Sequence, residues 1–359
     1  MQVNGNRVLT YQDLCKGLDS KGNFVHRVVN LATQDNEMLE DMCVIEANNG
    51  TALETTFRTE TSKPVWTTYY QGVTASKGSK AKLKVTTGKM GTKLVIDKEL
   101  FDKAKMKGDA YADAMLEDEI RDKKDGMKLE MGNTIVYGKL ANEPRSFNGL
   151  FEHYSEFGAA GLTDDKKAAF YVMNALGLGS GSASENALGS IALVGWSPDT
   201  ITAFHAEHST TGGITVSEKR VVDVTDPDNG GTFEAYQQYL YWELGLAVRD
   251  FRHGGRICNL QRDDMLNKKT GETQVEAALR YIELIDRLAC RVRDGGKKAW
   301  YMDRLMWEYV TTLYTRVTRA NAFSEEQLAN GMMSRKLKGM PVRVQDCMKI
   351  NESKVLQAA

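Results

Sequence analysis

Residue types able to do chemistry are spread thinly along this chain. His205 and His208 stand three apart in "FHAEH", a spacing that on a helix lets two imidazoles share a metal ion. No third ligand accompanies them and HExxH is absent, so solvated surface histidines are the plainer reading. "LGLGSGS", with Gly177, Gly179 and Gly181, has the glycine spacing of a phosphate-cradling loop. Such a loop follows a strand and opens a helix. This one follows a helical pattern and reads as a surface loop. Cys258 or Cys290 with His253 offers a thiol and a base, but both cysteines fall where packing accounts for them. Glu117, Asp118, Glu119 and Asp122 in "LEDEIRD" could pair as acid and base, yet a charge run on an exposed helix face is ordinarily solvated. The residues therefore point to no catalytic site, no metal and no cofactor.

The lysines carry a clearer signal. Residues 61 to 96 hold seven lysines and no acidic residue. Trp66, Tyr69 and Tyr70 precede the lysine-rich part instead of alternating with it, which does not suit base stacking on a nucleic acid. The acceptor expected instead is an acidic surface on a neighbouring copy, with the run from Glu117 to Asp125 as the candidate. The candidate subunit-interface residues are thus Trp66, Tyr69, Tyr70, Lys80, Lys82, Lys84, Glu117 and Glu119.

Bulk composition narrows the class. The 359 residues suffice for one large or two ordinary domains, and 26% charged with 42% hydrophobic residues is a globular composition. A net charge of −1 gives no overall attraction to nucleic acid or an anionic membrane. Five scattered cysteines without CxxC indicate reduced thiols in a cytoplasmic compartment, not a disulfide framework. The first residues lack the pattern of a signal peptide, and no apolar run approaches the ~20 residues of a membrane span.

The elements that must position these residues follow from periodicity. Residues 1–50 read as an arm with little structure of its own, Met38 to Ile45 being a short helix or strand. Residues 51–96 are rich in Thr, β-branched and aromatic residues, with a Ser/Gly/Lys centre at 75–82 that reads as a hairpin tip, and are expected to form a long two-stranded excursion. A lone hairpin is marginal in water, so something else must support it. Asp97 caps a helix running from about 98 to 131, with a narrow apolar stripe at Leu100, Ala104, Tyr111, Met115 and Ile120. Residues 133–154 carry strand and turn signals. Helices are expected at Thr163–Leu176, Val275–Arg293 and Ala299–Arg319, with a short one capped by Ser324 and closed by Gln327. Strands are expected at 190–196, 214–224 and 236–250. "GMPVRVQD" from Gly339 reads as a turn into a last strand with Val342 and Val344 facing the core.

An arm, a basic hairpin and a half-exposed long helix cannot bury their surfaces alone. In this order, the elements resemble the major capsid protein of tailed double-stranded DNA phages, with the Hong Kong 97-type fold, in its podovirus-like branch. The resemblance rests on "TTGKMGTKLVIDKEL" at 86–100, "GNTIVYGKLANEPRSFNGLF" at 132–151, "YWELGLAVRDFRHGGRICNL" at 241–260, "WYMDRLMWEYVTTL" at 300–313 and "LKGMPVRVQDCMKINESKV" near the end. "HGG" at 253–255 departs from the apolar residues usual there.

The resemblance implies an α+β chain divided into an N-arm (1–50), an extended loop (51–96), a spine helix and peripheral domain (97–154), an axial domain (155–330) and a returning C-terminal strand (331–359). It implies a shell subunit without catalysis that forms hexamers and pentamers of an icosahedral head around double-stranded DNA. Scaffolding, portal and decoration proteins would be its partners, and the virion its location after assembly in the host cytoplasm. Two other readings stay open: an encapsulin-type compartment, which shares the fold, and a cytosolic nucleotide-binding enzyme using the Gly-rich loop. The last strand is expected to return beneath the long helix, tying the chain's end to residues 90–140.

Overall fold

A computed structural model describes residues 36–106, 108–158, 167–178, 188–207, 209, 212–225, 230–317, 323–327, 333–349 and 351–358. In chain order the elements begin with α1 (Met38–Asp41), β1 (Val44–Glu46), β2 (Ala52–Arg58), β3 (Lys80–Thr86) and β4 (Gly88–Asp97). Two helices follow, α2 (Lys98–Lys105) and α3 (Asp109–Tyr137), then the short α4 (Leu150–His153). Next come β5 (Val172–Asn174), β6 (Leu188–Trp196), β7 (Ile201–His205), β8 (Thr215–Val216), β9 (Arg220–Thr225), β10 (Thr232–Val248) and β11 (Gly254–Gln261). The chain ends with α5 (Gln274–Arg291), β12 (Lys297–Met302), α6 (Arg304–Val317), β13 (Phe323–Gln327), β14 (Met333–Leu337) and β15 (Met340–Val344).

These elements form two compact units. Among the described residues, one unit holds Lys89–Met131 and Gly213–Glu243. Here β8 and β9 pair antiparallel with β10. Leu94, Ile96, Phe101, Ala104, Ala112 and Met115 form the core, with Leu100, Ile120 and Tyr236 packed against it. Leu100, Ala104, Met115 and Ile120 of the expected apolar stripe lie in or against this core. Asp97 caps α2 as anticipated, its carboxylate accepting from the Glu99 and Leu100 amides at 2.7 and 3.4 Å. The single helix expected from 98 is broken before Asp109, where Gly108 has φ +134°, a conformation costly for any other residue.

The second unit holds Asp35–Gly88, Gly132–Gly212 and Leu244–Ala359. Its centre is β6, buried along all nine residues and flanked antiparallel by β11 and β12. The order continues through β15 and β14 to β13 on one side and to β5 on the other. Helix α5 packs on β11, and the "HGG" departure has a steric reason there. A Cβ on Gly254 would lie 2.4 Å from the Tyr154 hydroxyl, and one on Gly255 would lie 2.5 Å from a Leu288 methyl. Glycine permits this approach of helix and loop to the strand.

Several expectations are corrected. Residues 133–137 complete α3 and form no strand. The helix expected over 163–176 is, where described, a 3₁₀ turn at Ala168–Tyr171 leading into β5, drawn into parallel pairing with β11; Thr163 and Asp164 lie outside the described residues. Residues 297–302 form strand β12 and only 304–317 are helical, because a short apolar run reads alike as buried helix or buried strand. Phe323–Gln327 is a strand paired with β14, not the helix its capping pattern suggested. The last strand pairs with β12 and β14 and not beneath the long helix, but Val342 and Val344 are buried as expected, and the residues after the strand do tie back to 90–140, at Tyr137. Residues 36–47 are no loose arm. Met38 is buried and β1 pairs in parallel with β7. Cys15 and the rest of residues 1–35 lie outside the described residues.

Candidate subunit interface

The structure does not assemble the chemical residues into a centre. His205 lies on β7 with Nδ1 2.9 Å from the Ala206 carbonyl, and His208 is outside the described residues, as are Gly179 and Gly181. Among the described residues no group of three His, Cys, Asp or Glu could hold a metal ion. Cys258 is buried and donates to the Met173 carbonyl at 3.4 Å, burial pushing its thiol up to about 12. Five residues of extended chain, roughly 15 Å, separate it from His253. Cys290 is exposed, not packed as expected, because the buried stripe of α5 runs through Tyr281, Ile282, Ile285 and Leu288 and leaves it outside. Glu117 is exposed and Glu119 half-buried on α3.

The ribbon of β2 and β3 is where the sequence produces an unusual surface. Antiparallel register pairs Leu53 with Val85, Thr55 with Leu83 and Phe57 with Ala81. The alternate pairs are Glu54 with Lys84, Thr56 with Lys82 and Arg58 with Lys80. Because side chains alternate across a strand, one face is apolar and the other carries four cations against one carboxylate. Lys84 reaches Glu54 at 3.4 Å. Hydrogen bonds from Asn49 and then Lys84 hold that carboxyl below its usual range. Lys80, Lys82 and Lys84 are all exposed, and Phe57 on the apolar face is 41% exposed.

The base of the ribbon is anchored. Leu53 is buried with Ala47, Phe204 and Ala247, and Ile45 and Val85 pack against that cluster. The Asn48 carboxamide brackets the backbone of Glu54, with two bonds of 2.8 Å. Glu207 accepts from the Gly50 amide at 2.8 Å, while Gly50 takes the φ of +60° that its turn requires. Beyond Arg58 the backbone pairing runs only as far as Glu60, whose carbonyl accepts from the Ser79 amide at 3.1 Å. Residues 59–77 are exposed throughout, with Trp66 100% and Tyr69 96% exposed and Tyr70 fully so. The tip expected at 75–82 is corrected: Lys80–Lys82 belong to β3, and the turn lies earlier, where the Gln71 amide donates to the Thr68 carbonyl at 3.2 Å. Tyr70 sits there at φ +67°, a strained conformation for an aromatic residue. Three large aromatic side chains thus stand clustered and exposed on and beside this turn.

The extended ribbon, long helix and mixed sheet define the Hong Kong 97-type fold of phage shell subunits. A solved structure of bacteriophage Epsilon15 is similar over 100% of both chains, with TM-score 0.69 and 24% identity. The bacteriophage JBD30 capsid is similar over 89% of this chain and 93% of that one (TM-score 0.44, 10% identity). The capsid of Myoviridae phage XM1 is similar over 71% and 100% (TM-score 0.41, 10% identity). Comparison with curated protein sequences returned no match. A family model described as major capsid protein GP7 matches residues 19–356, and the chain belongs to that family. Its role is that of a subunit of the icosahedral head shell.

Proposed function

We propose that the chain assembles as hexamers and pentamers of a head enclosing double-stranded DNA, and that the β2–β3 ribbon is the strap between neighbours. The observation that supports this is the ribbon itself: rooted at Leu53, two-faced along its length, and bare at Trp66, Tyr69 and Tyr70. In this reading the apolar face and aromatic tip lie on an adjacent copy. Lys80, Lys82 and Lys84 meet that copy's acidic run from Glu117 to Asp125. The protein acts without catalysis. Scaffolding, portal and decoration proteins join it during assembly in the host cytoplasm, and DNA is contacted without sequence preference.

Electron microscopy of the expressed chain, supplied with its scaffold where it needs one, tests the reading. Closed shells, sheets or tubes are expected. A strictly monodisperse monomer or dimer would count against it. Nucleic acid inside particles from infected cells, as opposed to a protein cargo, separates a phage head from a compartment.

A further inference from the structure

Four side chains from distant parts of the sequence close into a ring of contacts. Tyr137, the last residue of α3, donates its hydroxyl to Glu352 Oε1 at 2.6 Å. Glu352 Oε2 accepts from Arg256 at 2.8 Å and from the Ser190 hydroxyl. The Arg256 guanidinium lies 3.9 Å over the Phe151 ring, and Phe151 meets the Tyr137 ring edge-on at 5.3 Å. The Arg256 and Glu352 side chains are only 6% and 4% exposed. A second contact strengthens the link to the helix end, where the Lys349 amide donates to the Tyr137 oxygen at 2.7 Å.

The tail that delivers Glu352 has little order of its own. Among its described residues, 345–358 form no helix and no extended strand. It is held by backbone bonds of Gln345 to Met302, Glu352 to Leu188, and Leu356 and Ala358 to Phe157, and at Val355, whose amide and carbonyl are both taken by the Asn259 carboxamide at 2.8 and 3.0 Å. Asn259 has φ +57° and lies where the pairing of β11 with β6 slips between Ile257 and Leu260. The bulge thus aims one side chain at the tail's backbone. Buried charge pairs tolerate no partial loss, since removing one partner strands the other without water. A segment held by such anchors is either docked or released.

We propose that the C-terminal tail is a latch on the long helix: docking of residues 345–358 and ordering of the last turn of α3 are one cooperative step, joined through the Tyr137 hydroxyl and the Glu352 carboxylate. Asn259 supplies the discriminating test, because it holds the tail without touching the helix. Hydrogen exchange on the full chain would compare wild type with Glu352→Gln, Tyr137→Phe and Asn259→Ala, using the amides of α5 as the reference for an intact fold. Glu352→Gln is expected to speed exchange about tenfold or more in both 132–138 and 345–358. Tyr137→Phe keeps the ring contacts and should do the same to a smaller extent, which preserves the test if Glu352→Gln fails to fold. Asn259→Ala should speed exchange at the helix end although Asn259 bonds Val355 of the tail and Asn174 of β5 and makes no bond to the helix. Freed exchange in 345–358 with wild-type protection of 132–138, in Asn259→Ala or, where that variant leaves the tail docked, in Glu352→Gln or Tyr137→Phe, would overturn the latch.

Discussion

Asp41→Ala is the substitution whose cost can be worked most fully from the structure. The Asp41 side chain is 1% exposed and lies against two cations. Oδ1 accepts from Lys297 at 2.5 Å and from Arg343 at 3.0 Å, and Oδ2 accepts from Arg343 at 2.8 Å and from the Tyr301 hydroxyl at 3.0 Å. Removing one partner of a fully buried charge pair costs about 3–5 kcal/mol. Here the cations are not fully buried. Lys297 is 54% exposed and recovers water, so its share falls toward the ~0–1 kcal/mol of a surface pair. Arg343 is 32% exposed and keeps Glu37 at 3.1 Å. The Tyr301 hydroxyl has no such escape. It lies in the core, still accepts from Trp196 at 2.8 Å, and loses the oxygen to which it donates, at about 1–3 kcal/mol.

The sum is on the order of 3 kcal/mol. For 359 residues, ~2.1 cal/mol/K per residue converts this to a fall in melting temperature of about 4 °C. Asp41→Asn retains an acceptor and should fall by less. Differential scanning calorimetry of unassembled protein measures both, with Asp294→Ala as control, since the Asp294 side chain is fully exposed in its pair with Lys298. A melting temperature for Asp41→Ala within about 1 °C of wild type would show that the buried carboxylate does not hold residues 36–41 to β12 and β15.

Charge reversal at Lys80 and Lys82 should leave the monomer's melting unchanged and lower shell yield by sedimentation; unchanged yield would remove the lysine face from the interface. Replacing Trp66, Tyr69 and Tyr70 together with Ser should likewise stop assembly without unfolding the chain, read by sedimentation and circular dichroism. Burial holds both His153 and His253 below the ordinary imidazole value of 6.5. The folded chain therefore resists a proton that the unfolded chain accepts, so their contribution is intact above 6.5 and is lost as pH falls below it. Urea midpoints should drop between about pH 7.5 and about pH 5.5, and drop less in His153→Gln/His253→Gln. Truncation after Lys338 removes β15 and with it the buried Val342, Val344, Cys347 and Met348, so soluble folded protein from that chain is not expected.

Local chemistry was enough to predict some of this molecule. The two-stranded excursion was legible, although its aromatic run at 65–73 forms no strand and β3 begins inside the stretch read as the tip; Asp97 gave the start of α2, and an uninterrupted 3.6-residue period gave α5. Thr273 and Glu276 form a capping box at the head of that helix, a signal present in the sequence and passed over. Tertiary structure decided the rest. Ala299 to Met302 became a strand because β6 and β15 offered backbone partners on both sides. The ribbon's basic and apolar faces depend on a register that pairs Leu53 with Val85, and one residue of slip would have mixed them. Asp41 and Arg343, or Glu352 and Arg256, look like surface charges in the sequence. Each pair is separated by far more chain than any local pattern spans, 302 residues for the first and 96 for the second. Only when β15 and the tail close against the sheet do these charges lose water, and burial then turns ordinary ion pairs into the groups that hold both ends of the described chain in place.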